Sequence, residues 1–191
     1  EDNKQYTIKL REGVKFHNGK ELTSEDVVAS LDRWVEKTSY GAIVKKILDK
    51  IEATDPYTVD IYLTEGSVVL TTLLAFPNQQ GGIYPKESIE AADEKGIPEE
   101  YIIGTGPYKF DEHKPDQYMK LVKFDDYCAR SEEPSGHGGK KTANFRTLTF
   151  IPVSEDAVRK DGVSTGDYHF GEQISTDMYD LVEADPNSEP V

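Results

Sequence analysis

The sequence predicts a mixed α/β fold, and two recurring patterns indicate it. Several short stretches alternate apolar and polar residues, as half-buried β-strands do, and they occur in pairs separated by turn residues. Other stretches place apolar residues at helical spacing. The 191 residues suffice for one large or two small domains, and they include enough aliphatic and aromatic side chains to form a core.

The chain opens with patterns that are typical of strands. Residues 6–10 alternate apolar and polar side chains, which predicts a half-buried strand that is broken at Gly13. Residues 14–16 alternate again and predict a second short strand. Asn18 and Gly19 follow, and this dipeptide is a strong signal for a tight turn. We therefore expect two strands and a turn in this part of the chain.

The clearest helical pattern covers Ser24–Glu36. Thr23 stands where an N-cap is expected, and Asp26 follows three residues later, as in a weaker form of the capping box. The apolar residues that recur at helical spacing are Val27, Val28, Leu31, Trp34 and Val35. We therefore predict a helix over this range, with Trp34 buried in the core.

The remaining elements are predicted from the same two patterns. Helices are expected at residues 42–48, 68–75, 88–95, 154–160 and 176–184. Hairpins are expected at 51–63 and 108–124, and further strands at 145–151 and 168–170. Asp55-Pro56 provides the turn of the first hairpin. Gly96 is expected to end the helix at residues 88–95.

The glycine-rich stretch Gly104-Thr105-Gly106-Pro107 raises the question of a phosphate-binding loop. A P-loop requires a Lys and a Ser or Thr after its last glycine, and a dinucleotide loop requires a third glycine that opens a helix. Here Pro107 removes a backbone donor, and a strand pattern follows. The stretch therefore predicts a sharp bend between two structural units, because glycine adopts backbone angles that other residues avoid.

Composition limits the classes of function. The formal net charge of −14 argues against nucleic acid as a partner, since a phosphate backbone requires a basic surface. The four histidines lack metal-ligand spacing, and Cys128, the single cysteine, has no signature of a catalytic thiol. Because no catalytic group of residues emerges, we expect a protein that is not an enzyme and has no cofactor and no metal site.

One loop offers groups that are suited to binding a small molecule. The side chains of Asn78, Gln79 and Gln80 provide amide donors and acceptors, and Gly81 and Gly82 let a ligand approach the backbone. These five residues are our candidate ligand-binding residues. An ordinary polar turn is the alternative interpretation of the same loop.

The order of the motifs resembles that of one family. The stretch "YTIKLREGVKFHNGKELTSEDVVASLDRW" resembles the signature of the bacterial family 5 extracellular solute-binding proteins, the dipeptide, oligopeptide and nickel receptors of ABC importers. "IEATDPYTVDIYL", "GTGPYKF" and "LVKFDDY" resemble the segments that follow in the family. Two departures concern Cys128, where members usually have Trp, and His169, where the family pattern has Asp.

The resemblance implies a partial periplasmic-binding-protein-like fold of type II. Residues 1–103 would form the smaller subdomain of the first lobe, and residues 104–191 part of its main α/β subdomain. Members of the family are considerably longer, so we interpret the chain as a piece of a larger protein from which the second lobe is absent. The charged anchors for peptide termini lie mostly in that absent lobe.

The resemblance also implies a function. The protein would capture a peptide or related small solute and deliver it to an ABC permease in the membrane. It would act as a monomer, in the periplasm or as a cell-surface lipoprotein, and would not bind nucleic acid. A fragment of an extracytoplasmic hydrolase and a surface scaffold without a ligand remain as alternatives.

Overall fold

The computed structural model describes residues 2–79 and 81–191 and shows the mixed α/β fold that the sequence predicts. The helices are α1 (Ser24–Lys37), α2 (Ser39–Lys45), α3 (Val69–Ala75), α4 (Lys86–Glu90), α5 (Asp156–Thr165) and α6 (Tyr179–Glu183). The strands are β1 (Gln5–Lys9), β2 (Leu48–Asp55), β3 (Thr58–Leu63), β4 (Tyr108–Lys114), β5 (Tyr118–Lys123) and β6 (Thr147–Phe150). Short 3₁₀ turns lie at Pro77–Gln79, Glu99–Tyr101 and Thr176–Met178.

The contacts divide the chain into two compact units. The first unit comprises Glu1–Asp111 and Leu121–Leu148, and the second comprises Glu112–Lys120 and Thr149–Val191. The division predicted from the sequence is a different one: it assigns residues 1–103 and 104–191 to two subdomains of the first lobe of a longer protein. That division remains a prediction.

The first unit is built on an antiparallel sheet with the strand order β1-β3-β2. β3 lies in the middle, and its residues Val59 and Ile61 are almost completely buried. The hairpin of β2 and β3 turns where predicted, and the carboxylate of Asp55 accepts a hydrogen bond from the backbone N–H of Tyr57 at 2.8 Å. Such a bond stabilises a turn because the side chain satisfies a backbone donor.

Helix α1 covers the sheet and begins where predicted. Both the backbone N–H and the hydroxyl of Thr23 donate to Asp26 Oδ2, at 2.9 and 3.1 Å. Trp34 has 4% of its surface exposed, so its predicted burial is confirmed. The apolar core of this unit consists of Val14, Phe16, Leu22, Val27, Leu31, Trp34, Val35, Val44, Val59, Ile61, Leu63 and Leu70.

The strand predicted at residues 14–16 is wrong. These residues form one isolated bridge, between Lys15 and Glu21, around a tight turn in which Gly19 has a φ of +86°. One bridge is too short for a strand, although Phe16 is fully buried. Apolar side chains on both arms of the turn produce the alternation without a ladder.

Several helix boundaries also differ from the prediction. The helix expected at 42–48 lies at Ser39–Lys45, and the one expected at 88–95 is Lys86–Glu90. Gly96 closes a separate turn with Asp93 instead of ending that helix. The helix expected at 154–160 begins only at Asp156 and continues to Thr165, where Gly166 adopts a left-handed conformation with φ of +82°.

Strands β4, β5 and β6 form a second sheet with that strand order, which confirms the predicted hairpin and the strand that follows it. In the second unit the strand predicted at 168–170 is absent from the described residues. Tyr168 instead packs on Gly162 of α5, where a Cβ atom would lie 2.3 Å from the aromatic ring. The apolar pattern here reflects packing against a helix.

Arg159 of α5 organises the second unit. Its guanidinium donates to the backbone oxygens of Val153 at 2.6 Å and Ser154 at 3.0 Å. It also donates to those of Glu172 at 2.9 Å and Gln173 at 2.8 Å. One side chain thereby satisfies carbonyls of the segments before and after α5.

Candidate functional site

The loop predicted to bind a ligand begins with a 3₁₀ turn and is joined to helices α1 and α2 through Gln79. The indole Nε1–H of Trp34 donates to the backbone oxygen of Gln79 at 2.6 Å. The side-chain Oε1 of Gln79 accepts from the backbone N–H of Tyr40 at 3.1 Å. Because Tyr40 lies in the first turn of α2, its N–H has no partner within the helix, and Gln79 supplies one. Both carbonyl oxygens of Gln79 are therefore engaged within the protein.

The other predicted residues of the loop differ in exposure. Asn78 and Gly82 are exposed, and Gly81 is half-buried. Gln80 lies outside the described residues. Among the described residues of the loop, Asn78 is thus exposed to solvent, while the side-chain amide of Gln79 also has a structural role.

The two glycines let the loop backbone lie close to neighbouring rings. A Cβ atom on Gly81 would lie 3.5 Å from Leu31 Cδ2 and 3.6 Å from Trp34 Cγ. A Cβ atom on Gly82 would lie 3.1 Å from the ring of Tyr84, which is tighter than most contacts of this kind. A Cβ atom at Gly81 would therefore make ordinary contacts with α1, whereas one at Gly82 would require the ring of Tyr84 to shift by a few tenths of an ångström.

The end of the loop is fixed to the buried side of α1. The hydroxyl of Ser30 donates to the backbone oxygen of Tyr84 at 3.2 Å and accepts from its N–H at 3.0 Å. Two residues later, the backbone N–H of Lys86 donates to Asp26 Oδ1 at 2.8 Å. The side chain of Asp26 is fully buried and also accepts from Lys20 Nζ at 2.7 Å.

These bonds keep Asp26 charged. Burial by itself raises the pKa of this carboxyl group, but hydrogen bonds from Lys20 and from the backbone N–H groups of Lys86 and Thr23 outweigh it. The pKa is consequently lowered from its ordinary value of 3.8. The charged carboxylate thus connects the start of α1 with the segment that follows the loop.

An open cleft of about 500 Å³ lies beside the loop. Its lining residues are Lys37, Thr38, Ser39, Pro77, Asn78 and Gln79. Small-molecule sites typically measure roughly 300–1,000 Å³, so this volume falls within their range. The cleft offers the ammonium of Lys37, the hydroxyl of Ser39 and the amide of Asn78, which together can donate to and accept from a polar solute.

Four lining residues were not among the predicted ones: Pro77, which directly precedes them in the chain, and Lys37, Thr38 and Ser39. Lys37, Thr38 and Ser39 lie where α1 meets α2, and nothing in their local sequence marks them as part of a site. The hydroxyl of Thr38 is engaged in the connection, since it donates to the oxygen of Trp34 and accepts from the N–H of Gly41, both at 2.9 Å. Lys37, Thr38 and Ser39 lie beside the predicted loop only in the folded chain, since about 40 residues separate them from it in the sequence.

The segment Gly104–Pro107 forms a bend that protein groups hold. The backbone oxygen of Gly104 accepts from the N–H of His17 at 2.9 Å, and the N–H of Gly104 donates to the ring of His17 at 3.3 Å. A phosphate-binding loop must direct its backbone N–H groups towards the ligand. Since the N–H of Gly104 is directed towards His17, the geometry favours the bend over a phosphate site.

Within ranges 2–79 and 81–191, no three His, Cys, Asp or Glu side chains converge in a way that could hold a metal ion. In the same ranges no helix has both the length and the apolar character that crossing a membrane requires.

Comparison with known families gives a match over almost the whole chain. The sequence model of the family described as "Bacterial extracellular solute-binding proteins, family 5 Middle" matches residues 1–190. The match includes the four quoted motifs, between residues 6 and 127, and the loop at residues 77–82.

Curated relatives are much longer than this chain. The "Probable peptide ABC transporter periplasmic-binding protein y4tO" of Sinorhizobium fredii is 32% identical over 98% of this chain and 35% of its own length. The "Glutathione-binding protein GsiB" of Escherichia coli is 29% identical over 99% of this chain and 35% of its own length. The chain therefore spans about a third of the length of these relatives.

Solved structures of binding proteins have the same fold. AgaA of A. tumefaciens, in complex with agropinic acid, has a TM-score of 0.70 and 30% identity over 87% of this chain and 31% of its own. AppA of Bacillus subtilis, in complex with a nonapeptide, has a TM-score of 0.72 and 25% identity over 96% of this chain and 35% of its own. DppA of Helicobacter pylori, in complex with the peptide STSA, has a TM-score of 0.76 over 97% of this chain and 38% of its own, and at 22% identity it shows the fold alone.

Proposed function

Because the chain belongs to family 5 of the bacterial extracellular solute-binding proteins, we propose that the whole protein is the solute receptor of an ABC importer. The observation that carries this proposal is the family match over residues 1–190. The receptor captures its solute between two lobes that close on it, and an ABC permease in the membrane takes up the solute. It works outside the cytoplasmic membrane, in the periplasm or as a lipoprotein, and acts as a monomer.

The solute of this receptor is a peptide or a related small molecule that carries a carboxylate. Relatives named for peptide and glutathione binding support this class. The cleft beside residues 77–82 supports it as well, because Lys37 provides the one positively charged side chain among its described lining residues. An ammonium group beside hydroxyl and amide groups suits a carboxylate of a polar solute.

Asn78, Gln79, Gln80, Gly81 and Gly82 contribute to the site in this proposal, and Lys37 and Ser39 join them. Exposed Asn78 offers its amide to the solute, and Gly82 leaves its backbone accessible. Gln79 acts by holding the loop on Trp34 and Tyr40. The second lobe of the whole protein closes over the solute and excludes water, which strengthens the hydrogen bonds of the site.

Calorimetry on the full-length protein tests the proposed function. The ligand panel contains short peptides, glutathione, agropinic acid and a nickel–histidine complex. We expect one carboxylate-bearing class to bind with a dissociation constant near the micromolar range, about −8 kcal/mol. Absence of binding by every member of the panel, together with hydrolysis of a peptide, would contradict the proposal and favour the hydrolase alternative.

The variant Asn78→Ala tests the placement of the site. If the amide contacts the solute, the affinity falls about 5- to 15-fold, since one hydrogen bond contributes roughly 1–1.5 kcal/mol. Asn144→Ala is the matched control, because Asn144 is also exposed and does not line the cleft. Equal affinity of both variants would move the site away from this loop while leaving the receptor function intact.

A further inference from the structure

Both ring nitrogens of His17 contact the segment Gly104–Gly106. Nδ1 accepts a hydrogen bond from the backbone N–H of Gly104 at 3.3 Å, and Nε2 lies 3.1 Å from the backbone oxygen of Gly106. The backbone N–H of His17 adds a third bond, to the oxygen of Gly104 at 2.9 Å. One residue therefore holds a segment that lies 87 positions away in the chain.

These partners fix the protonation state of the imidazole ring. A ring nitrogen that accepts from an N–H group carries no proton, and one that faces a carbonyl oxygen must donate. The contacts thus assign the neutral tautomer with the proton on Nε2. In the charged form, the new proton on Nδ1 would point at the N–H of Gly104, so two donors would face each other and that bond would be lost.

The surroundings of His17 favour the neutral ring. The side chain is half-buried, and its ring packs edge-on against Phe124 with 5.1 Å between the ring centres. Burial is the main cause that lowers the pKa of His17 from 6.5. The hydrogen bond to Gly106 raises the pKa and so opposes this shift, whereas the positive charge of Lys109 on β4 lowers the pKa further.

Charged groups also follow Phe124 and precede His17 in the chain. Asp125 and Asp126 come directly after Phe124. The carboxylate of Asp126 forms an ion pair with Lys15 Nζ at 3.0 Å. Lys109, on β4, lowers the pKa of His17 through its positive charge.

We propose that His17 is a pH-sensitive latch: its neutral ring holds the segment Gly104–Gly106, and a proton on Nδ1 releases that segment. The latch is independent of the proposed function, because it involves neither the cleft nor the solute.

The direction of the pH dependence follows from the lowered pKa. In the closed state the ring of His17 holds Gly104–Gly106, and in the open state this segment is released. Because the pKa of His17 is lowered in the closed state, the ring stabilises that state fully at a pH above 6.5, the ordinary pKa of histidine. As the pH falls from there towards the lowered pKa, each pH unit favours the open state by about tenfold. Below the lowered pKa the effect levels off, since both states are then protonated.

Hydrogen exchange followed by mass spectrometry tests the latch in the full-length protein. Peptides that cover residues 102–110 are compared between about pH 7.5 and about pH 5, with exchange corrected for the intrinsic effect of pH. We expect protection of this segment to decrease as the pH falls below 6.5. His17→Gln removes the titration, so its protection should not change over this range. The matched control His137→Gln replaces an exposed histidine and should respond like the natural protein.

The NMR signals of the His17 ring in the unaltered protein provide a second measurement, which does not depend on a variant that folds. We expect an Nε2–H tautomer and a pKa below 6.5. A ring that carries its proton on Nδ1, a pKa at or above 6.5, or protection that does not respond to pH would each overturn the proposal.

Discussion

The two compact units of the chain are stabilised in different ways. The first unit contains a continuous apolar core between α1 and the sheet of β1, β2 and β3. In the second unit, Gly162 is the single buried residue among those described, and Val158, Phe170, Tyr179 and Leu181 are exposed. Its segments are instead joined by hydrogen bonds from Arg159. The comparison teaches that substitutions of buried apolar residues should destabilise the first unit. Loss of hydrogen-bond donors should destabilise the second unit.

The largest expected effect is that of Trp34→Ala in the first unit. It should lower the free energy of unfolding by about 3–5 kcal/mol, because it leaves a cavity in a closed core and removes the bond to Gln79. Urea unfolding followed by circular dichroism measures this change. Leu181→Ala in the second unit is the control, since its side chain is 62% exposed and a change within about 0.5 kcal/mol is expected. Equal effects of the two variants would end the distinction between the units.

Asp26→Ala should have the next largest effect, about 2–3 kcal/mol. The substitution leaves the backbone N–H groups of Thr23 and Lys86 without their charged acceptor, and Lys20 keeps Glu87 as its remaining partner. The same unfolding experiment measures it. A loss below about 0.5 kcal/mol would show that the carboxylate does not hold the segment after the loop.

The pH dependence of Asp26 sharpens this prediction. Because the pKa of this carboxyl group is lowered, its contribution to stability is fully present above 3.8 and is lost as the pH falls through the lowered value. The stability of the natural protein should therefore approach that of Asp26→Asn in acid. If the difference in unfolding free energy between the natural protein and Asp26→Asn stayed constant as the pH fell below 3.8, the lowered pKa of Asp26 would be contradicted.

Of the three substitutions that remove an interaction, Arg159→Ala is expected to have the smallest effect, about 1–2 kcal/mol, and to confine it to the second unit. The variant leaves carbonyl oxygens of residues 153, 154, 172 and 173 without their donor, but three of the four bonds are exposed and the one to Val153 is part-buried, so water can replace most of them. Hydrogen exchange should increase in residues 150–175 and stay unchanged in α1. Arg159→Lys keeps the charge but lacks the planar fork, so it should resemble the alanine variant. Increased exchange throughout α1 would show that the units do not respond separately.

Local patterns predicted most elements of the fold. Helix α1 and the hairpin of β2 and β3 carry their own capping and turn residues, so the sequence nearby was sufficient. Residues 14–16 and 168–170 misled the prediction, since burial on the arms of a turn or against α5 gives apolar residues the same spacing as a strand. In these places packing partners distant in the chain decide the structure.

The candidate site was less accessible to prediction from sequence. The amides of the loop at 77–82 could be recognised from composition, but the structural role of Gln79 depends on Trp34 and Tyr40, which lie far away in the sequence. Lys37 and Ser39 line the cleft because α1 ends beside that loop, and a charged residue at a helix end gives no sign of this. The role of His17 was missed for the same reason, because its partners are glycine backbone groups.

The bond between Trp34 and Gln79 gives the chain an optical probe of its cleft. Trp34 is the single tryptophan in the sequence, and its indole donates directly to the backbone oxygen of Gln79, one of the residues that line the cleft. Any displacement of the loop changes the hydrogen bond and the polarity at the indole, and both alter its fluorescence emission. A titration of this chain monitored at tryptophan wavelengths would therefore report occupancy of the cleft without a label.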